Sequence, residues 1–122
     1  MKKTWVLGLV ISCLIGLSSM AFGQPLYVAP SAEQTGDVSI TTGEGYFHGI
    51  LIGCASGVTV DVYDNTAASG RKLMPTLYFP GSATNQSHSV DMGSAGVFYN
   101  KGIYVDVTTT GTLRYIVYST PK

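Results

Sequence analysis

Val58–Asp64 reads VTVDVYD. Val58, Val60 and Val62 alternate with Thr59, Asp61 and Tyr63, a period of two that puts branched apolar side chains on one face and polar ones on the other. This is the pattern of a strand with one dry face and one wet face. The same alternation returns in Ile103–Thr108, IYVDVT, where Ile103, Val105 and Val107 oppose Tyr104, Asp106 and Thr108. Between and around them lie further strand-like runs: YFHGILIGC at Tyr46–Cys54, KLMPTLYF at Lys72–Phe79, SHSVDM at Ser87–Met92, GVFY at Gly96–Tyr99 and LRYIVYS at Leu113–Ser119. Pro75 cannot donate to a ladder, so its run belongs at a sheet edge or breaks at that residue. Asn100-Lys101-Gly102 and Thr109–Thr112 read as the turns of two hairpins. No helical period is sustained beyond the N-terminal segment, so the expected fold is all-β: an antiparallel two-sheet sandwich, jelly-roll-like, with an immunoglobulin-like arrangement as the alternative.

Upstream, the chain begins MKKTWVLGLVISCLIGLSSMAFGQ. A basic start at Lys2 and Lys3, an apolar run from Trp5 to Leu17 and a small-residue exit at Ala21-Phe22-Gly23 form the layout of a secretory signal peptide cut between Gly23 and Gln24. A retained anchor and a lipoprotein processed at Cys13 are the competing readings, although the run stays apolar after Cys13 where a lipoprotein turns polar. The expected organisation is therefore residues 1–23 as a signal peptide, 24–45 as an N-terminal arm or linker rich in Pro and Gly that could hold short strands at LYVA and DVSI, and 46–122 as the sandwich. The protein is expected to be exported: periplasmic, cell-surface or extracellular.

Without residues 1–23 the cations are Arg71, Lys72, Lys101, Arg114 and Lys122, against Glu33, Asp37, Glu44, Asp61, Asp64, Asp91 and Asp106. Five against seven leaves a slightly acidic chain, which lacks the basic footprint of a nucleic-acid binder. Cys54 is then the single thiol, and its place beside Ile50 and Ile52 on one strand face predicts burial.

The stretch VYDNTAASGRKL, Val62–Leu73, is the densest in ligand-type side chains. A calcium site there would draw on Asp61, Asp64, Asn65 and Ser69, too few for the six to eight oxygens that calcium takes. Turn chemistry accounts for the same residues: Asp64 and Asn65 bonding nearby backbone, Ser69 in the bend, and Gly70 at a positive φ. His48 and His88 are far apart in sequence, without the clustered ligands of a zinc site. Asp61 and Asp106 could be imagined as a glycosidase pair, but both are expected on solvated strand faces. No G-x-S-x-G elbow is present. No catalytic residue, metal or cofactor is assigned. The tyrosines remain: Tyr63, Tyr104 and Tyr118 are expected on outward strand faces, where tyrosine serves equally to cover a sheet or to form a contact surface.

GILIGCASGVTVDVYDNTAASGRKL, followed by GVFYNKGIYVDVTTTGTLRYIVYS, resembles a group of small β-sandwich proteins of tailed phages and phage-like bacterial regions. The resemblance covers Tyr46–Ser119 and rests on Tyr63, Asp64, Asn65, Ser69, Gly70, Gly102, Tyr104 and Val105, which look fold-defining. It implies a non-enzymatic virion-associated role such as a head-decoration or fibre-like subunit. The signal peptide departs from that group and points to an exported relative. The expected function is accordingly a non-enzymatic exported structural or assembly module that associates with itself, the alternative being a secreted glycan-binding or adhesin-like domain with a surface glycan as partner.

Overall fold

A computed structural model describes residues 28–81 and 86–122. The expected signal peptide, residues 1–23, lies outside the described residues, as do residues 24–27 of the expected arm. The strands are β1 (Ala29–Pro30), β2 (Val38–Thr42), β3 (Gly45–Cys54), β4 (Val58–Tyr63), β5 (Leu77–Phe79), β6 (Gln86–Asp91), β7 (Val97–Tyr99), β8 (Gly102–Thr109) and β9 (Leu113–Pro121). They form two antiparallel sheets. One has five strands in the order β1-β9-β3-β6 with β7 also on β3, and the other has four in the order β2-β8-β4-β5.

Most connections carry the chain from one sheet to the other, which is the jelly-roll wrap. The immunoglobulin alternative pairs its last two strands in one sheet, whereas β8 and β9 here lie in different sheets. Neither expected hairpin forms, for the same reason. β7 pairs with β3 while β8 pairs with β2 and β4, so Asn100-Lys101-Gly102 is a corner between sheets. The backbone N–H groups of Asn100 and Lys101 go to the carboxylate of Asp64, at 3.0 and 2.9 Å. Thr109–Thr112 is a second corner, fastened to the β3–β4 turn by Ala55 N–H to Thr112 O at 3.2 Å.

Where it is described, the stretch 24–45 carries two short strands, the second over the DVSI run. β1 pairs with β9, β2 pairs with β8 in the opposite sheet, and Gln34 exchanges two 2.9 Å backbone hydrogen bonds with Tyr115 between them. The described part of this stretch has Pro30 at the end of β1 and Gly36 and Gly43 on either side of β2. It supplies one edge strand to each sheet.

The core lies between the sheets. Phe47, Ile50, Ile52, Cys54, Tyr115 and Val117 from the five-stranded sheet meet Val58, Val60, Val62, Ile103 and Val105 from the four-stranded one, all at 1% exposure or less. Burying each such aliphatic or aromatic side chain is worth about 1.5–3 kcal/mol against the unfolded chain. Leu73 and Met74 close one end of the core, and the chain reaches Pro75 before β5 begins, as the edge strand of its sheet. Phe47 and Ile50 both face inward although three positions apart. A bulge between Phe47 and Gly49, in the pairing with β9, reverses the parity of β3. Gly49 sits there at φ +153°, and a Cβ on it would lie 2.1 Å from the carbonyl oxygen of Val90, so only glycine lets β6 approach.

Candidate functional site

The bulge shapes the outer face of the five-stranded sheet. Tyr118 on β9 lies opposite Gly49, which has no side chain to cover the tyrosine ring. A cavity of about 480 Å³ opens beside it, floored by His48–Leu51 and bordered by Ser89 and Asp91 of β6, Ser94 of the β6–β7 loop and Val28. A second cavity of about 350 Å³ shares Val28, His48 and Ser94 with the first and continues to Tyr46 and Thr120. Together they make one groove across the face.

His48 holds the groove in shape. Its Nδ1 lies 3.3 Å from the carbonyl oxygen of Gly93, which can only accept, so Nδ1 carries the proton. Nε2 forms a hydrogen bond with the Thr120 hydroxyl at 2.9 Å. With both nitrogens engaged, the ring fastens the β6–β7 loop to β3 and β9. Asp91 Oδ1 accepts the backbone N–H of Gly93 at 2.7 Å, and the residue borders the first cavity. Beyond Tyr46 lies Phe98, which meets it edge to face at 5.6 Å, and Phe98 is more than a third exposed, as are Leu51 and Val28 of the first cavity.

The three tyrosines expected on outward faces do not share one. Tyr63 and Tyr104 are cross-strand partners on the outer face of the four-stranded sheet, and Tyr118 is on the opposite side of the molecule. All three are half-buried. Tyr99 and Tyr115 are core residues; burial drives the Tyr115 hydroxyl well above the usual tyrosine range, with Asp37 and Tyr104 adding to the effect.

Asp61 and Asp106 are likewise cross-strand partners on that four-stranded face. Burial, then the charges of Asp37 and Asp61, push the Asp106 carboxyl up. Burial also works against the Asp61 carboxylate, but hydrogen bonds from Lys72 and Thr76 and the charge of Lys72 outweigh it and hold Asp61 down. Lys72 Nζ is 2.7 Å from Asp61 and 5.6 Å from the Tyr63 ring centre, so Asp61 has its partner within this face. His48 and His88 are on opposite sides of β3 and β6: His48 faces out, while His88 points in against Phe79 at 5.1 Å. Among the described residues no three His, Cys, Asp or Glu side chains group to hold a metal ion.

The Val62–Leu73 loop departs from its expected local chemistry at one residue. Asn65 does bond nearby, donating to Ser69 O at 2.9 Å and to Ser69 Oγ at 3.0 Å, and Gly70 has φ +94°. Asp64 reaches across the molecule instead. It is 5% exposed and accepts from Arg71 at 2.8 Å as well as from the corner at Asn100–Lys101.

Sequence reading missed His48, Tyr46, Asp91 and Ser94 as neighbours. The available signal was Gly49, a glycine inside a strand pattern, which marks a bulge or a close backbone approach. No protein-family model, no curated protein and no solved structure matches the chain.

Proposed function

We propose that the protein is an exported, non-enzymatic recognition domain that binds saccharide in the groove on the outer face of its five-stranded sheet. The observation that carries this reading is Tyr118 lying opposite Gly49, a half-buried aromatic side chain lining a cavity of about 480 Å³ rimmed by Ser89, Asp91 and Ser94. A sugar ring presents an apolar C–H face that stacks on an aromatic side chain and a hydroxyl edge that hydrogen-bonds to carboxylate and serine. Concave sites with an apolar floor and a few placed polar groups are the usual form of small-ligand sites, and jelly rolls include lectin domains. The test is a glycan array followed by calorimetry on the best binder, using Tyr118→Ala and, on the opposite face, Tyr63→Ala. Binding lost in the first variant and kept in the second supports the proposal; an array without a hit, or equal binding by both variants, overturns it. Export is tested separately, by mass spectrometry of the secreted chain, which is expected to begin at Gln24.

A second reading, a self-associating assembly module, is favoured by the exposed apolar side chains Val28, Leu51 and Phe98. It is also the reading supported by the resemblance to virion-associated proteins. Exchange of the stretch 28–42 between copies would first have to break its pairing with β8 and β9 in the same chain. Sedimentation velocity across a hundredfold range of concentration distinguishes this reading, since a saccharide-binding monomer keeps one sedimentation coefficient.

A further inference from the structure

At the corner between β7 and β8 a cavity of about 400 Å³ is lined by Asp64, Arg71, Phe98, Asn100 and Lys101. Its cations are placed differently from ordinary surface charges. Asp64 is buried at the base, with one oxygen saturated by the backbone N–H groups of Asn100 and Lys101 and the other taken by Arg71 Nη2. Arg71 Nη2 also donates to the carbonyl oxygen of Phe98. Both protons of that nitrogen are therefore committed, and the guanidinium is fixed by two elements of the fold while its side chain stays 55% exposed. A guanidinium carries five N–H donors, so those on Nη1 and Nε remain unassigned by these contacts.

Lys101 lines the same cavity, and among the described residues no carboxylate forms an ion pair with it. Lys122 adds charge nearby, 5.7 Å from the Phe98 ring centre, although Glu44 pairs with it at 3.4 Å. The buried carboxylate is thus already answered by its own donors, and the exposed charged residues that line the cavity itself, Arg71 and Lys101, are cationic.

We propose that this corner is an oxyanion-binding site, in which a carboxylate, sulfate or phosphate group is held between the free N–H groups of Arg71 and the ammonium of Lys101, above the exposed ring of Phe98. The site is separate from the saccharide groove and does not depend on it. Asp64 acts as a positioning residue: it orients Arg71 and shapes the corner without meeting the ligand.

The experiment is an NMR titration of the isotope-labelled protein with sodium sulfate, sodium phosphate, glucuronate and, as the uncharged control, glucose. The expected result is saturable movement of the Phe98, Asn100 and Lys101 amides and the Arg71 side-chain signal with the anions, and none with glucose. Arg71→Gln and Lys101→Gln should each weaken binding by about ten- to a hundredfold, the range of one charge-assisted hydrogen bond. Lys101→Gln keeps the test open if Arg71→Gln misfolds, because Asp64 holds the backbone of Lys101 and not its side chain. Glucuronate binding more tightly than sulfate or phosphate would identify the ligand as an anionic sugar with its ring on Phe98, and the reverse order a free or esterified inorganic anion. Unsaturable shifts spread over Lys72, Arg114 and Lys122, or unchanged affinity in Lys101→Gln, would overturn the proposal.

Discussion

Asp64 Oδ1 accepts the backbone N–H of Lys101 at 2.9 Å across 37 residues of chain, joining the loop after β4 in one sheet to the corner where the chain leaves the other. A single buried carboxylate thereby sets the path of a connection that sequence reads as a hairpin. Replacing it leaves two N–H donors and a guanidinium without their acceptor. Asp64→Ala should lower the unfolding free energy by about 2–4 kcal/mol, less than a fully desolvated pair because Arg71 is half exposed. Asp64→Asn retains an oxygen for the two N–H groups and should lose less. Urea midpoints at constant slope measure both, and an Asp64→Ala midpoint matching the parent would refute the structural role.

Stability should depend on pH in two opposing ways. Burial raises the carboxyls of Asp61 and Asp64, but hydrogen bonds outweigh it, from Lys72 and Thr76 at Asp61 and from Arg71, Lys101 and Asn100 at Asp64; both lie below the ordinary carboxylate range. Their contribution is present above the unfolded value of about 3.9 and lost as pH falls through the depressed folded values. Asp106 is shifted upward by burial and by Asp37 and Asp61, so its contribution is present below the unfolded value and lost as pH rises through the folded one. Asp106→Asn should therefore raise the melting temperature at pH 7, and the advantage should shrink toward pH 3. A melting temperature lowered equally at both pH values would show that packing around Asp106 matters more than its charge.

Gly49→Ala tests the bulge. A Cβ there meets the carbonyl oxygen of Val90 at 2.1 Å and the backbone is at φ +153°, so either β6 moves away or β3 straightens. The expected loss is about 2–4 kcal/mol, the range for strain at a special backbone conformation combined with a steric clash. The groove should change with it, seen as altered NMR signals for His48 and Tyr118. A variant of parental stability with an unchanged spectrum would show that the strands tolerate a side chain there.

What sequence could reveal follows from the range of each signal. β4 was legible because it keeps one face dry from end to end, and β8 because Ile103 and Val105 are buried with Val107 packed against the same core, so a period of two survives in Val58–Tyr63 and Ile103–Thr108. β3 was legible only in halves, since the bulge moves Phe47 onto the same face as Ile50 and breaks the period. Turn chemistry is local and cannot tell a hairpin from a corner between sheets; at Asn100–Lys101 the deciding acceptor is Asp64, far away in sequence. The tyrosines show the same limit. Alternation identifies Tyr104 and Tyr118 as outward, but which sheet each strand joins is a property of topology, and it puts them on opposite sides. The groove depends on that topology together with a glycine and a loop, so no single stretch encodes it.

β5 and β6, each at an edge of its sheet, meet where Phe79 faces His88. His88 points inward there, paired across β3 with Ile52, its ring 5.1 Å from Phe79, and its Nε2 is buried with no hydrogen-bond partner among the described residues. A buried polar atom left unpaired costs about 1–3 kcal/mol, and exchanging it for an apolar group of similar size removes that penalty. Val90, two positions on along β6, and Leu77 and Phe79 of β5 are apolar and pack against the same core. His88→Leu should therefore stabilise the fold by about 1 kcal/mol, part of the gain being offset by lost ring contact with Phe79. His88→Asn, which keeps polarity but surrenders the ring, should destabilise it by about 1–3 kcal/mol. Thermal and urea unfolding of the two variants should thus move in opposite directions. A loss of stability in His88→Leu comparable to that in His88→Asn would mean that the imidazole contributes a favourable interaction at this seam that outweighs its unpaired nitrogen.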